Sequence, residues 1–148
     1  MKFRFTLEKL LEHKRTLERQ AQKAWAEAQA NVDRATKELD GLYAAVDEAR
    51  KDVPRMEREG RPAASVAQVD EFINGQKIRI ERKRGEIREL LAIAEARQVE
   101  LVEAAKERKT LEKVREKRLE DFKLRRKKHE LKENDELVVT RFKRADDF

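Results

Sequence analysis

The sequence predicts an all-α protein, a long two-helix antiparallel coiled-coil hairpin with an overhanging C-terminal helix end. Three observations lead to this fold class. Charged residues make up 46% of the 148 residues, with only four Gly and two Pro, a composition typical of long helices and coiled coils. The residues that interrupt helices cluster at one place in the chain. On both sides of that place, apolar residues recur at alternating steps of three and four.

The first helix is predicted over about residues 4–59 from its apolar seam. Eleven seam positions follow one another in steps of 4 and 3 without a polar interruption, and a sustained repeat of this kind is typical of a left-handed coiled coil. Pro54 lies inside the pattern and lacks a backbone donor, so we expect it to kink the helix or end it early. The seam positions are Ala21, Trp25, Ala28, Val32, Ala35, Leu39, Leu42, Val46, Ala49, Val53 and Met56.

A short turn is predicted over about residues 60–64. Gly60 suits the position just past a helix end, because glycine adopts the left-handed backbone conformation at little cost. Ser65 is expected to cap the next helix, with Gln68 three residues later as its capping-box partner.

The second helix is predicted over about residues 65–142, followed by a tail at 143–148, within a single coiled-coil domain over 1–148. Its seam alternates apolar residues with polar or basic ones, whose long stems can cover the seam while their heads reach water. The turn is short, so we expect this helix to fold back antiparallel on the first. With the turn centred near residue 61, position i faces about position 122 minus i. Residues from about 117 onward should therefore project beyond the N-terminus.

Positive charge is concentrated in the predicted overhang. Residues 106–144 contain 16 Lys and Arg against 9 Asp and Glu, a balance of +7, while the whole chain has a net charge of +6. The charge peaks at Arg125–Lys128. A basic free end should bind an acidic partner, and salt should weaken that binding.

The sequence favours a binding or structural protein over an enzyme. It contains no Cys, no Gly-rich phosphate loop and no nucleophile placed beside a base. His13 and His129 are too far apart in the predicted register to share a metal ion, and we expect neither a metal nor a cofactor. No run of about 18 apolar residues occurs, as a membrane-spanning helix would need. A monomer in the cytoplasm is the expected free state.

Both ends of the chain carry recognisable motifs. The segment Phe3–Arg15 has an aromatic residue followed by Leu-x-x-Leu-Leu and basic residues. Residues Leu111–Arg118 lead into Phe122, and Glu133–Phe142 contains an acidic pair, apolar residues and a late aromatic. In this order, with this length and two-arm layout, the chain resembles the flagellar export protein FliJ family.

The resemblance implies a fold, a function and partners. FliJ proteins are antiparallel coiled coils similar to the gamma subunit of rotary ATP synthases, and they insert their paired termini into the pore of the hexameric export ATPase FliI. They also contact the cytoplasmic domain of the export gate protein FlhA, and they handle export chaperones, with FliH as a further expected partner. A non-enzymatic stalk at the cytoplasmic face of the inner membrane, at the flagellar base, is therefore expected.

The resemblance and the charge pattern together nominate two sets of contact residues. Phe72 and Ile73 occupy the family's gate-binding place, although Ile73 also fits the seam and is expected to be core. Gln76 and Arg79 follow on that face, where the family has small or apolar residues. The residues expected to bind the ATPase are Phe3, Phe5, Leu7, Leu10, Arg118, Phe122, Arg125, Arg126 and Phe142.

Three alternatives remain open from the sequence. The first is the corresponding stalk protein of a virulence-type secretion system. The second is a basic coiled coil that binds nucleic acid, which the few aromatics, not interleaved with the basic run, disfavour; we expect no nucleic acid partner. The third is a parallel dimeric coiled coil without a hairpin.

Overall fold

Two long helices pack against each other and make up nearly all of the protein. The computed structural model describes residues 2–146, in which α1 spans Glu8–Arg58 and α2 spans Ala63–Asp146. No strand occurs among these described residues. The predicted all-α two-helix hairpin is confirmed, and the parallel dimer without a hairpin is excluded as the fold of this chain.

The turn between the helices is closed by Gly60. Its φ of 69° lies in the left-handed region, where glycine has no steric penalty. The Gly60 N–H donates to the carbonyl of Glu57 at 3.2 Å, and the Arg61 N–H donates to the carbonyl of Met56 at 3.1 Å. These two bonds form a Schellman motif, which satisfies carbonyls left free at the end of α1. The predicted role of Gly60 is confirmed.

The two prolines near the turn occupy different places, one inside α1 and one directly before α2. Pro54 lies inside α1, which continues to Arg58, so of the two expected effects, a kink or an early end, the early end does not occur. The second helix begins at Ala63, directly after Pro62, rather than at Ser65. Proline is favoured at helix starts because it needs no amide partner there. Ser65 therefore lies in the first turn of α2 and donates its N–H to the Pro62 carbonyl at 3.0 Å.

The N-terminal segment, residues 2–7, lies before α1 and is not helical, whereas the sequence predicted helix from residue 4. A non-helical chain advances up to about 3.3 Å per residue against 1.5 Å in a helix. The segment therefore reaches farther along α2 than a helix would, and Phe3 contacts Phe122. The overhang, which we define as residues 123–146, is exposed throughout. It is thus slightly shorter than predicted.

The protein divides into two compact units. The second unit, Arg19–Val102, has a core of small and branched residues along the predicted seam. All eleven seam positions of α1 are buried or half-buried, as predicted. One cluster joins Val46 and Ala49 to Ile73 and Ile80, and another joins Ala28 and Val32 to Ala94.

The first unit contains the described residues up to Glu18 and from Glu103 onward. Its core includes Leu11, which is fully buried, and Phe5, which is 8% exposed. Ion pairs between α1 and α2 fix the register: Lys14 with Glu107, Glu8 with Arg115, and Glu18 with Arg108. Their residue numbers add up to 121, 123 and 126, close to the predicted 122.

Candidate functional site

Aromatic rings and arginines meet where the N-terminal segment lies on α2. The rings of Phe3 and Phe122 are 5.6 Å apart at an angle of 55°, within the range of favourable aromatic pairs. The Arg115 guanidinium lies 5.7 Å from the Phe3 ring centre, and that of Arg118 lies 5.5 Å from the Phe5 ring centre. Both distances suit cation–π contacts, so the segment is held by stacking as well as by burial.

An open groove of about 540 Å³ lies beside these rings. We call its lining the cationic head, which consists of Lys2, Phe3, Arg4, Arg118, Phe122 and Arg125. Arg118 donates to the hydroxyl of Thr6 at 3.1 Å, which does not neutralise its charge. Lys2, Arg4 and Arg125 have no ion pair within residues 2–146. Uncompensated positive charge over an aromatic floor suits an acidic partner with apolar side chains.

A network of ion pairs supports the cationic head from the hairpin side. Arg108 donates to both carboxylate oxygens of Glu18, and its third nitrogen donates to Glu112 at 2.7 Å. The hydrogen bond with Glu18 is the main cause that raises the pKa of Arg108. Arg15 also approaches Glu112, at 3.5 Å. The pairs of Arg108 with Glu18 and of Arg15 with Glu112 cross between α1 and α2, and they hold the N-terminal part of α1 in register.

The overhang continues α2 beyond the cationic head without cover. Arg126 pairs with Glu130 at 3.3 Å, and His129 lies 3.6 Å from Glu133. Phe142 is 70% exposed. It lies twenty residues beyond Phe122, or about 30 Å along the helix. The overhang therefore offers a second, separate contact surface in the first unit.

The residues nominated for gate binding lie in the second unit, and they differ in exposure. Phe72 is 46% exposed and lines an open groove near the turn, together with Met56 and Val69. Arg79 is exposed as well. Ile73 and Gln76 are each only 8% exposed and lie in the interface between the helices. The structure thus brings Phe72 and Arg79 to the surface and leaves Ile73 and Gln76 inside.

Arg79 lines a groove that also contains an ion pair between α1 and α2. Lys83 donates to Glu38 and also pairs with Glu86 at 2.9 Å. The hydrogen bond with Lys83 lowers the pKa of Glu38, and the hydrogen bonds with Glu38 and Glu86 raise the pKa of Lys83. Both groups therefore stay ionised across the neutral range, and Arg79 adds a positive charge beside them.

Comparison with known proteins identifies the family. The family model described as "Flagellar FliJ protein" matches residues 2–147. The chain belongs to the FliJ family. It is therefore a component of the flagellar export apparatus, which favours the flagellar system over a virulence-type one. No curated protein and no solved structure gives a match. No helix within residues 2–146 is long and apolar enough to cross a membrane.

The nine residues nominated for ATPase binding all fall in the first unit of this FliJ family member. Phe3, Arg118, Phe122 and Arg125 come together in the cationic head. Phe5 is buried under Arg118, and Leu7 is half-buried, so both support the surface more than they form it. The remaining three reach solvent; these are Leu10, Arg126 and Phe142.

Sequence reasoning missed two features of the same region. Lys2 and Arg4 line the cationic head, although the residues nominated from this segment are Phe3, Phe5 and Leu7. The overhang also carries exposed apolar residues besides Phe142, among them Leu124, Leu131 and Val138. Their spacing of seven was the available signal. These three positions lie outside the seam that faces α1, so the seam pattern does not include them.

Proposed function

We propose that this FliJ family member is a non-enzymatic stalk that binds and stimulates the hexameric export ATPase through the cationic head and the overhang. The supporting observation is that four cations surround Phe3 and Phe122 in an open groove, and three of them have no ion pair within residues 2–146. A ring whose pore is lined by acidic and apolar side chains would complement this surface.

The mechanism is packing combined with charge. If the head binds the assembled ring better than the free subunits, it stabilises the assembled form by mass action. Charge attraction speeds the encounter and sets its direction, while the aromatic floor supplies apolar contact. Such binding weakens as salt rises, because exposed charges are screened beyond about 8 Å at physiological ionic strength.

The gate would be contacted by the second unit, with Phe72 as its anchor. An exposed aromatic side chain on a thin helical surface is typical of a protein–protein contact. Arg79, which is also exposed, lies two helical turns farther along α2 and would supply a charged contact. The protein would then act at the cytoplasmic face of the inner membrane, coupling ATPase to gate. Export chaperones and FliH are further partners under this proposal.

Reversing charge in the cationic head is expected to weaken ATPase binding at least about tenfold and to remove stimulation of hydrolysis. The variant is Arg4→Glu with Arg125→Glu, two groove residues without an ion pair in residues 2–146, so folding should be unaffected. Loss of rim charges lowers the association rate. Co-sedimentation with the purified ATPase, read together with phosphate release, measures both effects.

The matched control is Lys23→Glu with Lys37→Glu, which makes the same change in net charge on exposed positions of the second unit. We expect it to bind and stimulate within twofold of the unaltered protein. Equal stimulation by the head variant and this control would refute the proposed ring-binding end.

Phe72→Ala is expected to weaken binding to the cytoplasmic domain of the gate by about tenfold or more while helicity stays unchanged. Truncating an aromatic anchor commonly costs 1–3 kcal/mol in binding. Tyr43→Ala is the control, because Tyr43 is a comparably exposed aromatic of the same unit, at 41% against 46%. Isothermal titration measures both affinities. If the two variants bind equally well, Phe72 is not the anchor.

A further inference from the structure

Charge and aromatic surface meet in the groove of the cationic head. The groove has a volume of about 540 Å³, within the roughly 300–1,000 Å³ of small-molecule sites. Its lining among the described residues consists of four cations and two phenylalanines, with no acidic side chain. Phe3 and Phe122 are only half-buried, so part of each ring is open to the groove. The groove therefore suits a small ligand that carries both negative charge and a flat apolar surface.

Two of the cations are held on one face of α2. Arg118, Phe122 and Arg125 stand at positions i, i+4 and i+7, which share a helix face. The Arg118 guanidinium is fixed by the Phe5 ring centre, 5.5 Å away, and by its hydrogen bond to the Thr6 hydroxyl at 3.1 Å. A guanidinium has several N–H donors, so that bond leaves others for a ligand. An arginine that is already ordered loses less freedom when a ligand binds.

The charge balance around the groove is positive. Lys2 and Arg4 come from the N-terminal segment and join the two arginines of α2, so four cations share the groove. Asp121 is the carboxylate on their side of α2, three residues after Arg118 and four before Arg125. It is exposed and forms no ion pair within residues 2–146. Four cations against one carboxylate leave positive charge that an anion can neutralise.

We propose that this groove binds a nucleoside polyphosphate. Its phosphate groups lie among Arg4, Arg118 and Arg125, whose planar guanidinium groups match phosphate oxygens in bidentate pairs. Its base packs against the open parts of Phe3 and Phe122, because every nucleobase has a flat face that stacks on aromatic rings. The chain has no Gly-rich phosphate loop, so phosphate recognition here rests on side chains.

Other ligands satisfy only part of this site. A small dicarboxylate would neutralise the cations but leave both rings uncovered, and a neutral sugar would leave the cations unpaired. A nucleic-acid strand needs cations and aromatic rings along its whole path. Residues 123–141 contain no Phe, Tyr or Trp, and Glu130–Glu136 contains four carboxylates. The site therefore suits a single nucleotide better than a strand that continues along the overhang.

Isothermal titration of the full chain with ATP, in buffer without divalent cations, tests the site directly. We expect saturable one-to-one binding. Tripolyphosphate should bind at least about fivefold more weakly than ATP, because it lacks the stacked base. Adenosine should bind at least about tenfold more weakly than ATP, because it makes none of the charged hydrogen bonds.

Charge variants test which cations hold the phosphates. Arg4→Glu with Arg125→Glu should weaken ATP binding at least about tenfold, because it removes two charged hydrogen-bond donors. Asp121→Asn should tighten it about twofold or more, because it removes a like charge beside the phosphates. Lys23→Glu with Lys37→Glu is the control and should stay within about twofold of the unaltered protein, because charges outside the first unit are screened. Circular dichroism checks that helicity is the same in all four proteins.

Nuclear magnetic resonance locates the base. Nuclear Overhauser effects should connect the adenine protons of ATP to ring protons of Phe3 and Phe122. Several results would overturn the proposal: no saturable binding of ATP, equal affinity for ATP and tripolyphosphate, or equal affinity in the head variant and the control. A short single-stranded oligonucleotide that binds more than about tenfold more tightly than ATP would also overturn it, because a strand-binding surface would then be present.

These measurements need no ATPase, so they succeed or fail separately from the proposed stalk function. Loss of ring binding with intact ATP binding would reject the stalk function alone, and the opposite result would reject the nucleotide site alone. If both hold, a nucleotide and the ring compete for the cationic head, a consequence that rests on the proposed function.

Discussion

Leu11→Ala is expected to lower the free energy of unfolding by about 2–4 kcal/mol, the usual cost of a buried Leu→Ala change. Leu11 is fully buried, and it lies in the first turn of α1, just after the N-terminal segment. The register places it opposite Leu111, which is half-buried. A cavity here loosens the support under Phe5 and Arg118, so the cationic head should lose its shape. Thermal unfolding followed by circular dichroism should show a decrease in Tm of about 5–15 °C.

Leu10→Ala is the matched control, because the neighbouring leucine is 42% exposed. It removes the same atoms from a partly solvated position, where a change of about 1 kcal/mol or less is expected. Leu10 is also nominated for ATPase binding, so this variant should affect the ring contact more than stability. Equal decreases in Tm for the two variants would contradict the packing assigned to Leu11.

The hairpin itself could be predicted because its signals are local and repeated. The seam of α1 needs no knowledge of the partner, since eleven apolar positions at steps of 3 and 4 already define one face. Gly60 marked the end of α1 because a Schellman turn needs a left-handed residue, which glycine adopts most readily. The length of the turn then fixed the register within a few residues.

The cationic head could be predicted only in part, because tertiary contacts override the local preference of the chain for a helix there. Residues 4–7 have no helix-breaking residue, yet Phe3 and Phe5 gain ring contacts with Phe122 and Arg118 by leaving the helix. Lys2 and Arg4 line the groove because this segment is not helical. Neither contact is visible in a helical repeat, which records only which residues share a face.

Gln76 shows where the seam pattern alone leaves the energetics undecided. It occupies a seam position between Ile73 and Ile80, and only 8% of it is exposed. Its side-chain Oε1 is buried without a hydrogen-bond partner. A buried polar atom left unsatisfied costs about 1–3 kcal/mol. In the second unit, the layer that contains Gln76 therefore contributes less stability than the neighbouring layers, which contain Val46, Ala49 and Ile80.

Gln76→Leu is expected to raise the free energy of unfolding by about 1–2 kcal/mol and Tm by about 2–6 °C. Leucine has a similar volume, removes the unsatisfied acceptor and extends the apolar cluster around Ile73. Gln98→Leu is the control at an exposed position of the same helix and should change stability by no more than about 0.5 kcal/mol. Urea denaturation of both variants measures the difference. A loss of stability in Gln76→Leu would mean that the amide is satisfied in solution, by water or by a different side-chain rotamer.

The same variant also tests gate binding. If Phe72 and Arg79 form the contact from the surface, affinity for the gate should stay unchanged while stability rises.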